Sequence, residues 1–303
     1  MAEQFVDVGG AITLCYERFG SEADPPMLLI MGLATQMIGW PDEFCVQLAV
    51  RGFQVVRFDN RDIGRSTKIY GRPPTPRQLI TRKIDPVLYA LSDMARDAAG
   101  LMQKLEIAPA HVVGASMGGM IAQTLAAEHP ESVRSLVSIM STTGHRFKGQ
   151  PAFGIYRYLL QQPPNDRQGF IEYTTRLFEA IGSRGLTFDR DRVRDMVARS
   201  YDRGRDPAGP GRQLGAILAS GDRTPQLRTI RAPTLVIHGS NDRMVATSGG
   251  VATAKAIPGA KLLIIDGMGH DLPEAAWPQL LDAIAGHARG AVRAPVDTTV
   301  SPS

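Results

Sequence analysis

The sequence predicts an α/β fold, with a mostly parallel central sheet, helices on both faces and a helical cap inserted between two of the strands. Two observations predict it. Short, nearly unbroken apolar runs recur along the 303 residues, each separated from the next by a segment with helical spacing. Strands that alternate with helices build a doubly wound sheet, and strands covered on both faces read as continuous apolar runs. That rhythm breaks once, for about ninety residues after Ser141, where no strand is legible.

The elements follow in order. Gln4–Val8 and Ile12–Phe19 alternate polar and apolar residues on either side of Gly9-Gly10 and predict an N-terminal hairpin. Met27–Met31, Phe53–Phe58, His111–Val113, Leu136–Met140, Thr234–His238 and Leu262–Ile265 predict buried strands. Glu43–Arg51, Ser92–Leu105, Gly119–His129 and Trp277–His287 predict helices. Inside the strandless stretch, Ile155–Gln161, Gly169–Ile181 and Val193–Tyr201 are amphipathic, with breaks at Pro163-Pro164 and Pro207–Gly211. The expected organisation is a core over 1–143, a cap over 144–230, a return to the core over 231–290 and a disordered tail, rich in Pro, Ser and Thr, over 291–303.

Composition narrows the partners. Thirty-four Lys and Arg against thirty Asp and Glu leave a formal charge of +4, without the basic block of a nucleic-acid arm. Cys15 and Cys45 each sit in an apolar run, which suits buried free thiols rather than a disulfide or a metal site. The first ten residues, MAEQFVDVGG, lack the charged start and apolar stretch of a signal peptide, and no apolar run approaches the roughly 20 residues of a membrane span. The expectation is a soluble, cytoplasmic protein without stable membrane insertion and without a nucleic-acid partner, compatible with a homodimer. No Cys/His cluster, H-E-x-x-H, Walker loop or strand-borne G-x-G-x-x-G is present, so neither a metal nor a cofactor is expected.

The chemistry concentrates at residues 111–119, HVVGASMGG. Gly114-Ala115-Ser116-Met117-Gly118 is a G-x-S-x-G sequence after a short apolar strand and before a helical segment, the context of a nucleophile elbow. A sharp strand-to-helix turn lifts the serine oxygen out of the sheet, and glycines two positions away let the helix pass close by. A serine needs a base, and the base an orienting acid. Of His111, His129, His145, His238, His270 and His287, His270 stands in a Gly-flanked loop, DGMGHDLP, just after the LLII run. His238 ends a strand and reads as buried in the sheet; His129 and His287 close helices; His111 begins the elbow strand; His145 opens the cap and could reach a substrate. Asp242 follows the TLVIH run in GSNDRMV, with Asp266 and Asp271 as rivals beside His270. An oxyanion hole needs two donors. The backbone N–H of Met117 is one, and that of Leu33, after Gly32 in MGLATQMIGW, is the natural second.

MGLATQMIGWPDEF, RFDNRDIGRST, HVVGASMGGMIAQ, TLVIHGSNDRMV and GMGHDLP together resemble the α/β-hydrolase fold-1 family, in particular its aclacinomycin methylesterase group and related actinobacterial carboxylesterases and lipases. The resemblance spans roughly residues 5–290 and is weakest in the cap. It implies a serine hydrolase with Ser116 as nucleophile, Asp242 as acid, His270 as base and Leu33 with Met117 at the oxyanion hole, acting on a small-molecule ester through an acyl-enzyme. An acyl thioesterase or lipase with the same triad is the alternative, and a non-catalytic ligand-binding protein of the same fold a further one. Epoxide hydrolases and dehalogenases of this fold are disfavoured, since the resemblance gives them an aspartate where Ser116 stands. Many members have His-Gly at Met31-Gly32 and Gly-His-Ser at Gly114-Ala115-Ser116; both departures touch the pocket rather than the chemistry. The resemblance makes Asp59–Ser66 a structural turn held by an Asp–Arg pair and backbone hydrogen bonds. The cap's Phe153, Ile155, Tyr156, Tyr158, Leu159, Phe170, Tyr173 and Phe178 suggest an apolar acyl site, or else the packing of cap on core.

Overall fold

A computed structural model describes residues 2–161 and 163–293. The chain opens with β1 (Gln4–Asp7) and β2 (Thr13–Phe19), an antiparallel pair turned through Gly9 and Gly10, whose φ values of 92° and 61° favour residues without a Cβ. Then follow β3 (Pro26–Ile30), α1 (Asp42–Val50), β4 (Gln54–Phe58), α2 (Pro76–Thr81), α3 (Leu91–Lys104), β5 (Ala110–Ala115), α4 (Met117–Glu128) and β6 (Val133–Ile139). The strandless stretch carries α5 (Tyr156–Leu160), α6 (Arg167–Ile181), α7 (Arg190–Arg203), α8 (Gly209–Ser220) and α9 (Thr224–Leu227). The chain rejoins the sheet with β7 (Thr234–Gly239), α10 (Ser248–Ala256), β8 (Lys261–Ile265) and α11 (Trp277–Arg293).

The eight strands lie in the order β1-β2-β4-β3-β5-β6-β7-β8, antiparallel through β1, β2 and β4 and parallel from β4 to β8. Successive side chains of a strand point to opposite faces, and here both faces are apolar. In β3, Leu28 and Ile30 pack with Met94 and Leu101 of α3 and Ile121 and Leu125 of α4. Met27 and Leu29 pack on the other side with Phe44 and Leu48 of α1 and Leu280 and Ile284 of α11. The unbroken apolar runs are the consequence of this double cover. The run Leu262–Ile265 departs from the expectation of full burial: β8 is an edge strand, and Leu262 and Ile264 stay 41% and 38% exposed.

Helix starts explain much of the cap. Asp166 accepts a hydrogen bond from the Gly169 N–H at 2.7 Å and Asp189 one from Arg192 N–H at 2.9 Å, each satisfying an orphan donor of the first turn of α6 or α7. The break at Pro207–Gly211 falls between α7 and α8, and α8 starts inside it at Gly209. Pro210 sits in its first turn, where a missing N–H and a preset φ are tolerated. Two ring pairs knit the cap helices to one another, Tyr158 with Tyr173 and Phe170 with Tyr201, while Phe153 is 93% exposed. These four rings therefore pack cap helix on cap helix. At the C-terminus α11 runs on to Arg293, three residues into the expected tail, and 294–303 lie outside the described residues.

One strand residue sets a pH limit on the fold. His111 of β5 is buried, its Nδ1 2.8 Å from the Ser135 hydroxyl and its Nε2 without a partner among the described residues. Burial, helped by Arg134, pushes its pKa down to about 4 from the ordinary 6.5. Between those values the unfolded chain binds a proton that the folded one refuses, so stability falls as the pH drops from about 6.5 to 4. Its share is roughly 3 kcal/mol. Denaturant titrations at pH 7 and 4.5 should show this loss in the wild type and a smaller one in His111→Phe; equal losses would remove His111 from the account.

Candidate active site

β5 and α4 meet at Ser116, held at φ 56° and ψ −120°, a region that costs a non-glycine residue about 1–3 kcal/mol and clusters at functional sites. Its own N–H donates to the Ile139 carbonyl at the end of β6, 2.9 Å away. The two flanking glycines permit the turn. A Cβ on Gly114 would lie 2.1 Å from the Gly118 carbonyl oxygen, and one on Gly118 would lie 2.1 Å from that of Ile30. Any larger residue would push α4 off the sheet and the serine out of place.

The other side chains arrive from loops at the carboxyl ends of neighbouring parallel strands, the place where such sheets present their sites. His270, in the loop after β8, has its Nε2 2.9 Å from Ser116 Oγ and its Nδ1 2.8 Å from Asp242 Oδ2. A carboxylate only accepts, so Nδ1 carries the proton and Nε2 is free to accept from the serine hydroxyl. Asp242, in the loop after β7, has a fully buried side chain. Its Oδ1 accepts from Met244 N–H at 2.9 Å and Val245 N–H at 2.8 Å. Burial acts to raise its pKa, but the His270 imidazole and the hydrogen bonds from His238 and His270 outweigh it and hold the carboxyl down at about 2. The three groups spaced 116, 242 and 270 in sequence thus form one hydrogen-bonded chain.

The rivals are committed elsewhere. Asp271 accepts from both the N–H and the hydroxyl of Ser183, at 3.0 and 2.6 Å, and Asp266 accepts from Ser240. His129 lies 3.7 Å from Glu131, His287 reaches the Pro233 carbonyl, and His145 accepts from Phe147 N–H within its own loop.

On the opposite side of Ser116 runs the loop after β3. Gly32 backs onto the serine so closely that a Cβ would sit 3.0 Å from Ser116 Cβ and 3.6 Å from Oγ. Among the described residues, neither the next N–H, that of Leu33, nor the first N–H of α4, that of Met117, has an acceptor. Two free donors beside a serine oxygen are the raw material of an oxyanion hole. Ala34, at φ 59°, turns the loop, and its N–H donates to Gln213 Oε1 of α8 at 3.0 Å.

Gln213 belongs to a set of cap contacts that the sequence did not disclose. Its Nε2 donates to the Arg61 carbonyl, and Gln36 Nε2 donates to the carbonyls of Ser200 and Gly204 in and after α7. Asp59 and Asp62 of the Asp59–Ser66 turn do pair with arginines, as expected of a structural turn, but those arginines come from the cap. Arg203 reaches Asp59 at 2.9 Å and Arg212 reaches Asp62 at 2.7 Å, all four largely buried. Losing one partner would strand a buried charge, at about 3–5 kcal/mol. On the histidine side, His270 N–H donates to the Ile181 carbonyl and Gly269 N–H to the Ser183 hydroxyl. The cap thus holds both the loop of Leu33 and the loop of His270. Such contacts join residues more than eighty positions apart, and no local spacing announces them.

Comparison with known proteins bears on the family and the fold. The sequence profile described as alpha/beta hydrolase fold matches residues 25–274. Rhodomycin D methylesterase DauP of Streptomyces sp. (strain C5) is 30% identical over 301 residues, covering 92% of this chain and 96% of that protein. Rhodomycin D methylesterase DnrP of Streptomyces peucetius is 29% identical over 302 residues, with the same coverage. Among solved structures, the esterase RhEst1 from Rhodococcus sp. ECU1013 superposes with a TM-score of 0.74 over 96% of this chain and all of that one, at 18% identity, a likeness of fold.

Proposed function

The chain belongs to the α/β-hydrolase fold family, and we propose that it is a carboxylic ester hydrolase working through an acyl-enzyme on Ser116, with methyl esters as its first candidate substrates. The single observation that carries this reading is the hydrogen-bonded chain Ser116–His270–Asp242 beside two free N–H groups. His270 Nε2 takes the hydroxyl proton as Ser116 Oγ attacks the ester carbonyl carbon. The negative charge that forms on the carbonyl oxygen falls to the N–H groups of Leu33 and Met117; one such donor is typically worth about 10²–10³ in kcat. Asp242 keeps the imidazolium ring oriented and its Nδ1 proton held. As the C–O bond breaks, His270 returns the proton to the leaving alkoxide, which departs as the alcohol. Water, deprotonated in turn by His270, then attacks the acyl-serine; the ester bond to Ser116 breaks, His270 returns the proton to Ser116 Oγ, and the acid leaves. No step calls for a metal or cofactor.

Two methylesterases as full-length relatives point to methyl esters within the broader ester class. A panel of methyl, aryl and longer-chain esters with matched thioesters, assayed alongside fluorophosphonate labelling, tests the reading. The expected result is turnover of methyl or short esters by a protein that labels once. A protein that labels yet prefers thioesters or long-chain lipids by tenfold or more would move the substrate class. One that neither labels nor turns over any ester would end the hydrolase reading.

A further inference from the structure

Asp242 is touched by a second imidazole that the catalytic scheme above does not use. His238, at the end of β7 and four residues before the acid, is completely buried. Its Nε2 lies 2.8 Å from the Val245 carbonyl oxygen and 3.3 Å from Asp242 Oδ2, the same oxygen that receives His270 Nδ1 at 2.8 Å. Both neighbours of Nε2 are acceptors only, so that nitrogen carries the ring proton and shares it between carbonyl and carboxylate. Among the described residues, Nδ1 is sealed without a partner. The wall against it is α10 at Gly250, where a Cβ would stand 2.4 Å from Nδ1. The ring thus has room for one tautomer and no acceptor for a second proton. A buried, unpaired nitrogen costs stability. A site that keeps one here obtains something from the other nitrogen.

We propose that His238 is a positioning residue for the triad acid: its Nε2–H ties Asp242 to the Val245 turn and draws negative charge away from the oxygen that faces His270. The inference rests on the triad reading and deepens it. With two backbone N–H groups on Oδ1 and two imidazoles on Oδ2, the carboxylate has a donor in every direction. It can neither rotate nor concentrate its charge on His270. The charged and titratable groups about this pair are few. Asp242, Ser116 and Asp271 face or flank His270. Arg243 follows Asp242 in the chain and turns its guanidinium to the Ala180 carbonyl. Among the charged and titratable groups of the described residues, His238 itself faces only Asp242. Removing the Nε2–H leaves Asp242 a stronger acceptor for His270, so the imidazolium is favoured and the acid limb of kcat/KM moves to higher pH. The loosened carboxylate also lets the imidazole drift, and kcat falls.

The experiment compares wild type, His238→Leu and His238→Gln by the pH dependence of kcat/KM on p-nitrophenyl acetate, with fluorophosphonate labelling as the control. The leucine fills the space without a donor; the glutamine amide restores an N–H at the position of Nε2. His238→Leu should lose about tenfold in kcat and move its acid limb up by about half a pH unit, and His238→Gln should return both most of the way. Limbs that stay in place, or a glutamine variant as impaired as the leucine one, would reduce His238 to filler and overturn the proposal. Should His238→Leu fail to fold, nitrogen-15 NMR of histidine-labelled wild type still decides. A protonated Nε2 and a bare Nδ1 on the neutral His238 ring are required, and the opposite tautomer refutes the proposal. Failure of the underlying reading looks different: the wild type itself would then show no labelling, whatever the tautomer.

Discussion

Ser116→Ala should abolish both fluorophosphonate labelling and ester turnover, with a loss of about 10⁵–10⁶ in kcat, the scale on which removing a triad serine acts. The structure explains why the loss is so nearly complete. Ser116 Oγ is the hydroxyl within 2.9 Å of the imidazole, at a strained elbow that the sheet, α4 and two glycines hold in place. Alanine keeps that backbone, so the variant should fold with an unchanged melting transition and retain Asp242, His270 and the free N–H groups. Whatever slow hydrolysis remains would come from those groups and bound water. Labelling that survives in the alanine variant, or that maps to another serine on peptide analysis, would show that the elbow is not the reactive centre.

The second large effect belongs to the acid. Asp242→Asn should lower kcat by about 10⁴, because an amide can present an N–H to His270 Nδ1 and favour the wrong tautomer. Asp266→Asn and Asp271→Asn should stay within about tenfold, since their carboxylates serve Ser240 and Ser183 rather than the imidazole. A damaging Asp271→Asn beside a mild Asp242→Asn would exchange their roles. The same variant has a stability signature. With its pKa held at about 2, against an ordinary 3.8, Asp242 is charged in the fold while the unfolded chain takes up its proton. Its contribution is present above about pH 4 and lost as the pH falls through 2, roughly 2 kcal/mol in all. Acid denaturation curves of Asp242→Asn should lack that increment.

How much of this was legible beforehand follows from where the information sits. The elbow is a local object: Gly114, Ser116 and Gly118 lie within one turn, and the apolar β5 before them and α4 after them are read from adjacent residues. His270 and Asp242 were legible because each follows an apolar strand in a loop of small and polar residues. What spacing alone did not disclose is tertiary. His238 reads as one more strand residue, and only the return of the 242–245 turn brings its Nε2 onto Asp242. Arg203, Arg212 and Gln213 lie on cap helices whose exposed sides are equally polar, so nothing in the sequence marks them as partners of Asp59, Asp62 and Ala34. The edge position of β8 was likewise invisible, because Leu262–Ile265 is as apolar as any buried strand. Among the described residues no helix is long and apolar enough to cross a membrane.

The acyl-enzyme is the centre of the account, and trapping it is the most direct test. Wild-type protein mixed with an excess of p-nitrophenyl acetate and quenched in acid within the first turnover should gain the mass of one acetyl group. Peptide mapping should place that group on Ser116, and the burst of p-nitrophenol should match the protein concentration. An acetyl group on His270, on a lysine or on any other serine would contradict the account, as would steady hydrolysis in which Ser116→Ala turns over ester as fast as the wild type.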